Sequence, residues 1–125
     1  GTYNATGPAA KLTMKKMLEG IKKGTGGDAK FTWVSTEFLE SKKIAPWSDL
    51  PVWVPSQNGG EGFTQISCAK AIKAGLTFRP VAATAKDTLA WYRTLPEDRR
   101  GKLGAGISAD KEKEILAGWH AMKTG

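Results

Sequence analysis

The stretch from Ile44 to Gly62 constrains the fold of this chain more than any other, because it is dense in the two residue types that break regular structure. It contains Pro46, Pro51, Pro55, Gly59, Gly60 and Gly62. Proline lacks a backbone N–H and clashes with the preceding helical turn, so a regular helix is disfavoured here. Trp47 and Trp53 lie within the same stretch. The pattern predicts an ordered, aromatic loop region.

Apolar residues at helical spacing predict helices on both sides of this loop. A first helix is expected to begin at Thr13, a residue type that caps helix N-termini, and to stop at Gly24. Its apolar face is formed by Met14, Met17, Leu18 and Ile21. The other predicted helices are one from Ser35 or Thr36 through Lys42, one from Ser67 through Ala74, one between Pro80 and Pro96, and one that begins at Ser108.

Short segments at 2–5, 30–34 and 63–66 predict β-strands, the second of them because it alternates and is rich in aromatic and β-branched residues. With the helices, they predict an α+β fold: a small, mostly helical domain with a few short strands. So few strands do not form a self-sufficient sheet. The first strand in particular is expected to pair with a partner outside this chain.

Composition places the chain among soluble globular domains. Its 125 residues are 40% hydrophobic and 25% charged, and no window approaches the roughly 18 apolar residues of a membrane span. Cys68 is the only cysteine, which excludes an intrachain disulfide and favours a reducing, cytoplasmic setting.

The sequence contains only weak signals of the residue combinations that identify an enzyme. Ser67 and Lys70 have the S-x-x-K spacing of some serine hydrolases, but the companion motifs are absent and Ser67 stands where a helix needs its cap. His120 is the sole histidine, so neither a zinc site with several N or S ligands nor a catalytic triad is predicted. The glycine-rich residues 24–27 follow a helix, whereas a phosphate loop precedes one. No catalytic, cofactor-binding or metal-binding residue is therefore predicted.

Several stretches resemble the extended short-chain dehydrogenases/reductases. Residues 1–8 read G-T-Y-N-A-T-G-P and are followed by Leu12-Thr13. This is similar to the place where the last strand of that family's large sheet leads into the substrate-binding lobe. Residues 66–80 and 88–91 resemble the family's closing stretch, which often reads D-x-x-K-A, L-G-x-x-P and a final helix. Ser67 or Cys68 stands near the place where an aspartate is common. Residues 45–55 are similar to a loop of bacterial NAD-dependent epimerase/dehydratase members.

The resemblance implies that residues 1–125 form a single domain, the C-terminal, substrate-side portion of a larger oxidoreductase. In that family a separate N-terminal Rossmann half binds NAD or NADP and carries a Tyr-x-x-x-Lys catalytic pair. Tyr3 and Tyr92 are the only tyrosines, and Gly7 and Pro96 stand four residues after them. The resemblance thus implies no catalytic residue and no cofactor in this chain. Its expected partners are the Rossmann half of the same polypeptide and a small-molecule substrate.

By its location in the family, the resemblance implies substrate contacts for four residues, Trp47, Trp53, Phe63 and Arg79. For both tryptophans, packing in a core is the alternative. Arg79 precedes a proline, which favours an extended backbone that could aim the guanidinium at a carboxylate or phosphate. A surface arginine without a partner is the alternative there.

Two other functions remain open. The net charge of +7 could indicate a basic module that binds nucleic acid or another polyanion, although the lysines are spread over several segments and nucleic acid is not the favoured partner. The apolar face of the last predicted helix could instead mediate oligomerisation, for example as a homodimer. That face consists of Ile115, Leu116, Trp119 and Met122.

Overall fold

A computed structural model describes residues 1–55, 62, 65–102 and 104–124, and the regular elements within these ranges are all α-helices. They are α1 (Met14–Thr25), α2 (Thr36–Ser41), α3 (Ala69–Lys73), α4 (Val81–Thr94), α5 (Glu97–Arg100) and α6 (Ala109–Thr124). The predicted α+β class is wrong. Within the described ranges the protein is small and all-helical, and its β-type pairing is one isolated bridge between Pro46 and Leu50.

The error has a physical cause. A strand exists only when a neighbouring strand accepts and donates its backbone hydrogen bonds, and local residue preference does not supply that neighbour. Residues 2–5 and 30–34 are in neither helix nor strand, and no ladder joins them to another described segment. For the third predicted strand, residues 65 and 66 are also irregular, while 63 and 64 lie outside the described residues.

The chain divides into two compact units. The first comprises Gly1–Ala29 and Thr64–Gly101, and the second comprises Lys30–Phe63 and Lys102–Gly125. The interpretation of residues 1–125 as a single domain stays a prediction. None of the helices in the described ranges is both long and apolar enough to cross a membrane.

In the first unit, α1 packs against α4, and the two helices approach closely. Gly20 and Gly24 lie at this contact: a Cβ at Gly20 would be 2.1 Å from Val81 Cγ1, and one at Gly24 would be 2.1 Å from the carbonyl oxygen of Ala82. Because glycine has no side chain, the two backbones approach more closely than larger residues would allow. The helix also runs past the predicted stop at Gly24 and ends at Thr25, with Gly26 as its C-cap at a φ of 69° that favours glycine.

The start of α1 was predicted correctly, and its cap can be tested. The Thr13 hydroxyl accepts the Lys16 N–H at 3.3 Å. We expect Thr13→Ala to lower the free energy of unfolding by about 1 kcal/mol, because one N–H of the first turn loses its acceptor. Thr13→Ser keeps that acceptor and should stay close to wild type in urea denaturation followed by circular dichroism. Equal losses in both variants would contradict a capping role.

The second unit has its own hydrophobic core, formed by Phe38, Leu39, Ile44, Ile115 and Trp119. The rings of Phe38 and Trp119 meet edge to face, with centroids 5.2 Å apart. Val34, Leu50, Trp53 and Ile107 pack around this cluster. Two residues of the α6 face that could have mediated oligomerisation are thus buried inside their own unit, whereas Met122 is exposed.

Candidate functional site

The candidate site is an open groove on α4, with a volume of about 330 Å³. It is lined by Arg79, Thr84, Asp87, Thr88 and Trp91, and we call it the α4 groove. Four of these residues share one side of the helix, because positions i, i+3, i+4 and i+7 fall on the same face. The fifth, Arg79, comes from the irregular segment just before the helix, where Pro80 occupies the N-cap position.

Arg79 has a charged partner in this groove. A guanidinium nitrogen of Arg79 donates to Asp87 Oδ2 at 2.5 Å, and the two side chains are 56% and 67% exposed. The alternative of a surface arginine without a partner is therefore wrong. An ion pair this exposed contributes only about 0–1 kcal/mol to stability, because water screens the charges. Its main consequence is geometric: Asp87 holds the guanidinium at the groove.

The other groove residues offer an apolar surface and hydroxyl groups. Trp91 is 60% exposed, so its indole is available to a ligand. The Thr88 hydroxyl donates to the Thr84 carbonyl at 2.8 Å and keeps lone pairs that can accept a further hydrogen bond. The groove therefore combines a cation, an anion, a hydroxyl acceptor and an aromatic face.

The opening segment of the chain lies against the residues around α3. The Asn4 side chain donates to the Ser67 carbonyl at 3.4 Å, and Lys70 Nζ donates to the Thr2 carbonyl at 3.1 Å. The same ammonium lies 5.0 Å from the centre of the Tyr3 ring. Lys70 therefore binds backbone and ring, which is not the arrangement of a lysine that activates a serine.

Helix α3 starts one residue later than predicted. Instead of Ser67, Cys68 occupies the N-cap position of α3, without a side-chain cap bond, and Ser67 Oγ accepts the Ala69 N–H at 3.4 Å. Cys68 is buried, as expected for a small apolar residue.

The aromatic loop of the second unit brings two of the predicted site residues together. The backbone N–H of Trp47 donates to the carbonyl of Trp53 at 3.2 Å, and Asp49 Oδ2 accepts the Ala45 N–H at 2.8 Å. Trp47 is 55% exposed and has a φ of 67°, in the left-handed region that non-glycine residues rarely adopt. Trp53 is half-buried against the core, which agrees with the packing alternative. Phe63 lies outside the described residues.

No group of three or more His, Cys, Asp or Glu side chains is clustered in the described part of the chain. His120 is exposed near the end of α6.

Sequence reasoning missed four of the five groove residues: Thr84, Asp87, Thr88 and Trp91. Their signal was the spacing of 84, 87, 88 and 91, which marks one helical face, but the spacing does not say whether that face is buried or exposed. No family model matches the chain, and no match was found among curated proteins or solved structures.

Proposed function

We propose that this chain is the substrate-binding C-terminal portion of an NAD(P)-dependent epimerase/dehydratase or reductase of the extended short-chain dehydrogenase type, and that it is not catalytic alone. The observation that carries the proposal is the contact between the two stretches on which the resemblance rests. Positions 63 and 68 residues apart in the chain are joined by hydrogen bonds, Asn4 to Ser67 and Lys70 to Thr2.

Packing also requires the glycine at position 7 of the opening stretch. A Cβ at Gly7 would lie 2.0 Å from Phe78 Cε1, so the glycine of the G-P pair leaves room for the aromatic ring of the later stretch. Residues of both stretches thus depend on each other in one unit. Such dependence supports reading them as parts of one motif, because both stretches are needed to form the same contact.

The remaining parts of the enzyme are proposed to come from elsewhere in the same polypeptide. A Rossmann half would bind NAD or NADP and provide the Tyr-x-x-x-Lys pair, which this chain lacks. The α4 groove would contribute substrate contacts, with Arg79 as the proposed polar contact and Trp91 as the apolar one. The side chains of this chain would bind and orient a small molecule, and the coenzyme held by the Rossmann half would supply the redox chemistry.

The test compares this chain with the whole gene product. We expect the reading frame to encode a glycine-rich turn and Tyr-x-x-x-Lys ahead of residue 1. The full-length protein should enhance the fluorescence of NADH or NADPH, and the isolated chain should not. A reading frame without such a domain would refute the proposal. Tight binding of a random DNA duplex at low salt would favour the basic binding module instead.

Substrate kinetics of the full-length enzyme test the role of Arg79. We expect Arg79→Ala to lower kcat/KM by about tenfold or more, because a charge-assisted hydrogen bond to the substrate is lost. Arg93→Ala is the matched control, since Arg93 is an exposed arginine in the last turn of the same helix. An unchanged specificity constant in Arg79→Ala would remove this residue from the site.

A further inference from the structure

The Arg79–Asp87 pair changes what the α4 groove can recognise. An isolated guanidinium would select a carboxylate or phosphate. Here Asp87 already neutralises it at 2.5 Å. An anionic ligand would have to displace the Asp87 carboxylate from Arg79, and it would also be repelled by the negative charge of Asp87. Replacing the existing ion pair would therefore contribute little binding free energy.

An uncharged ligand faces no such competition. The pair places hydrogen-bond donors of the guanidinium beside acceptors of the carboxylate. Among the described residues, the hydrogen bond that Arg79 donates to Asp87 is accepted by Oδ2. A neutral group that carries an acceptor and a donor side by side, such as a carboxamide, can accept from Arg79 and donate to Asp87 while both keep their charge. The exposed indole of Trp91 adds a flat apolar surface for a ring.

We propose that Asp87 sets the charge selectivity of the α4 groove, so that the groove prefers an uncharged ring compound with adjacent donor and acceptor groups over anions or cations of the same shape. This inference rests on the proposed function only for treating the groove's natural ligand as a substrate. The selectivity itself belongs to this chain and requires no coenzyme.

The probes are three planar molecules of nearly equal size: benzamide, benzoate and benzamidinium. Each is titrated into the chain while the indole N–H signal of Trp91 is followed by nuclear magnetic resonance, with Trp91→Phe to assign that signal. For the wild type we expect benzamide to bind more tightly than either ion. Tighter binding of benzoate, or no response of Trp91 to any probe, would overturn the proposal.

Two substitutions then test the charges of Asp87 and Arg79 one at a time. Asp87→Asn should strengthen benzoate binding by about threefold to fivefold and weaken benzamidinium binding, because an exposed charge pair has about that strength. Arg79→Gln should do the reverse. Asp28→Asn is the control, since it makes the same change of net charge at an exposed residue outside the groove. If Asp28→Asn reproduced the effect of Asp87→Asn, net charge would explain it and the proposal would fall.

The result is distinguishable from the fate of the proposed function. The titrations use this chain without NAD(P) or an upstream domain. If they fail while the full-length protein binds coenzyme, the enzyme proposal stands and the groove selectivity is refuted. If they succeed while no Rossmann half is found, the groove is a binding site of a different protein class.

Discussion

Replacing Trp119 with alanine is expected to lower the free energy of unfolding of the second unit by about 3–5 kcal/mol, the usual range for removing a large aromatic side chain from a core. Trp119 is 7% exposed and is one of the largest members of that unit's core. Its removal also deletes the edge-to-face contact with Phe38. Since a unit of this size has few other buried side chains, little could move to fill the cavity.

The matched control is Trp91→Ala, which deletes the same side chain from a helix but at a position that is 60% exposed. We expect it to change the free energy of unfolding by less than about 1 kcal/mol. Urea denaturation followed by far-ultraviolet circular dichroism measures both variants, because tryptophan fluorescence would itself change. Similar losses in the two variants would contradict the assignment of Trp119 to a core and of Trp91 to a surface groove.

The helices were the part of the fold that the sequence predicted best, because their signals are local. The Thr13 cap and the apolar spacing after it identify α1, and Ser108 accepts the Lys111 N–H at the start of α6. The sheet could not be predicted in this way. Whether residues 2–5 or 30–34 become strands depends on a neighbour, and no described segment of the chain supplies one.

The groove was predictable only in part. Arg79 was identified from the proline that follows it and from the resemblance, and the structure places it in the groove. Its partner Asp87 lies eight residues later, and the contact depends on how the irregular segment meets the start of α4. Neither spacing nor composition reports that geometry. The sequence also could not distinguish buried Trp119 from exposed Trp91, because both lie in helices and differ only in what packs against them.

Helix propensity alone suggests that Gly24→Ala should stabilise α1, since alanine is favoured over glycine in a helix by about 1 kcal/mol. We expect the opposite, a loss of about 1–3 kcal/mol in the free energy of unfolding. A Cβ at Gly24 would lie 2.1 Å from the carbonyl oxygen of Ala82 and within 3 Å of two more of its backbone atoms. Backbone atoms cannot rotate away, so α1 and α4 would have to separate.

Two further glycine substitutions turn this expectation into a ranking. Gly20→Ala should cost less than Gly24→Ala, because the atom that its Cβ would meet is Cγ1 of Val81, a side-chain atom that can move by rotation. Gly27→Ala should change stability by no more than about 0.5 kcal/mol, since only the Thr25 hydroxyl lies near, at 3.5 Å. Thermal and urea denaturation of the three variants give the order. A stabilised Gly24→Ala protein would mean that α1 and α4 do not pack backbone to backbone, and that the glycines of α1 are not the cause of their close approach.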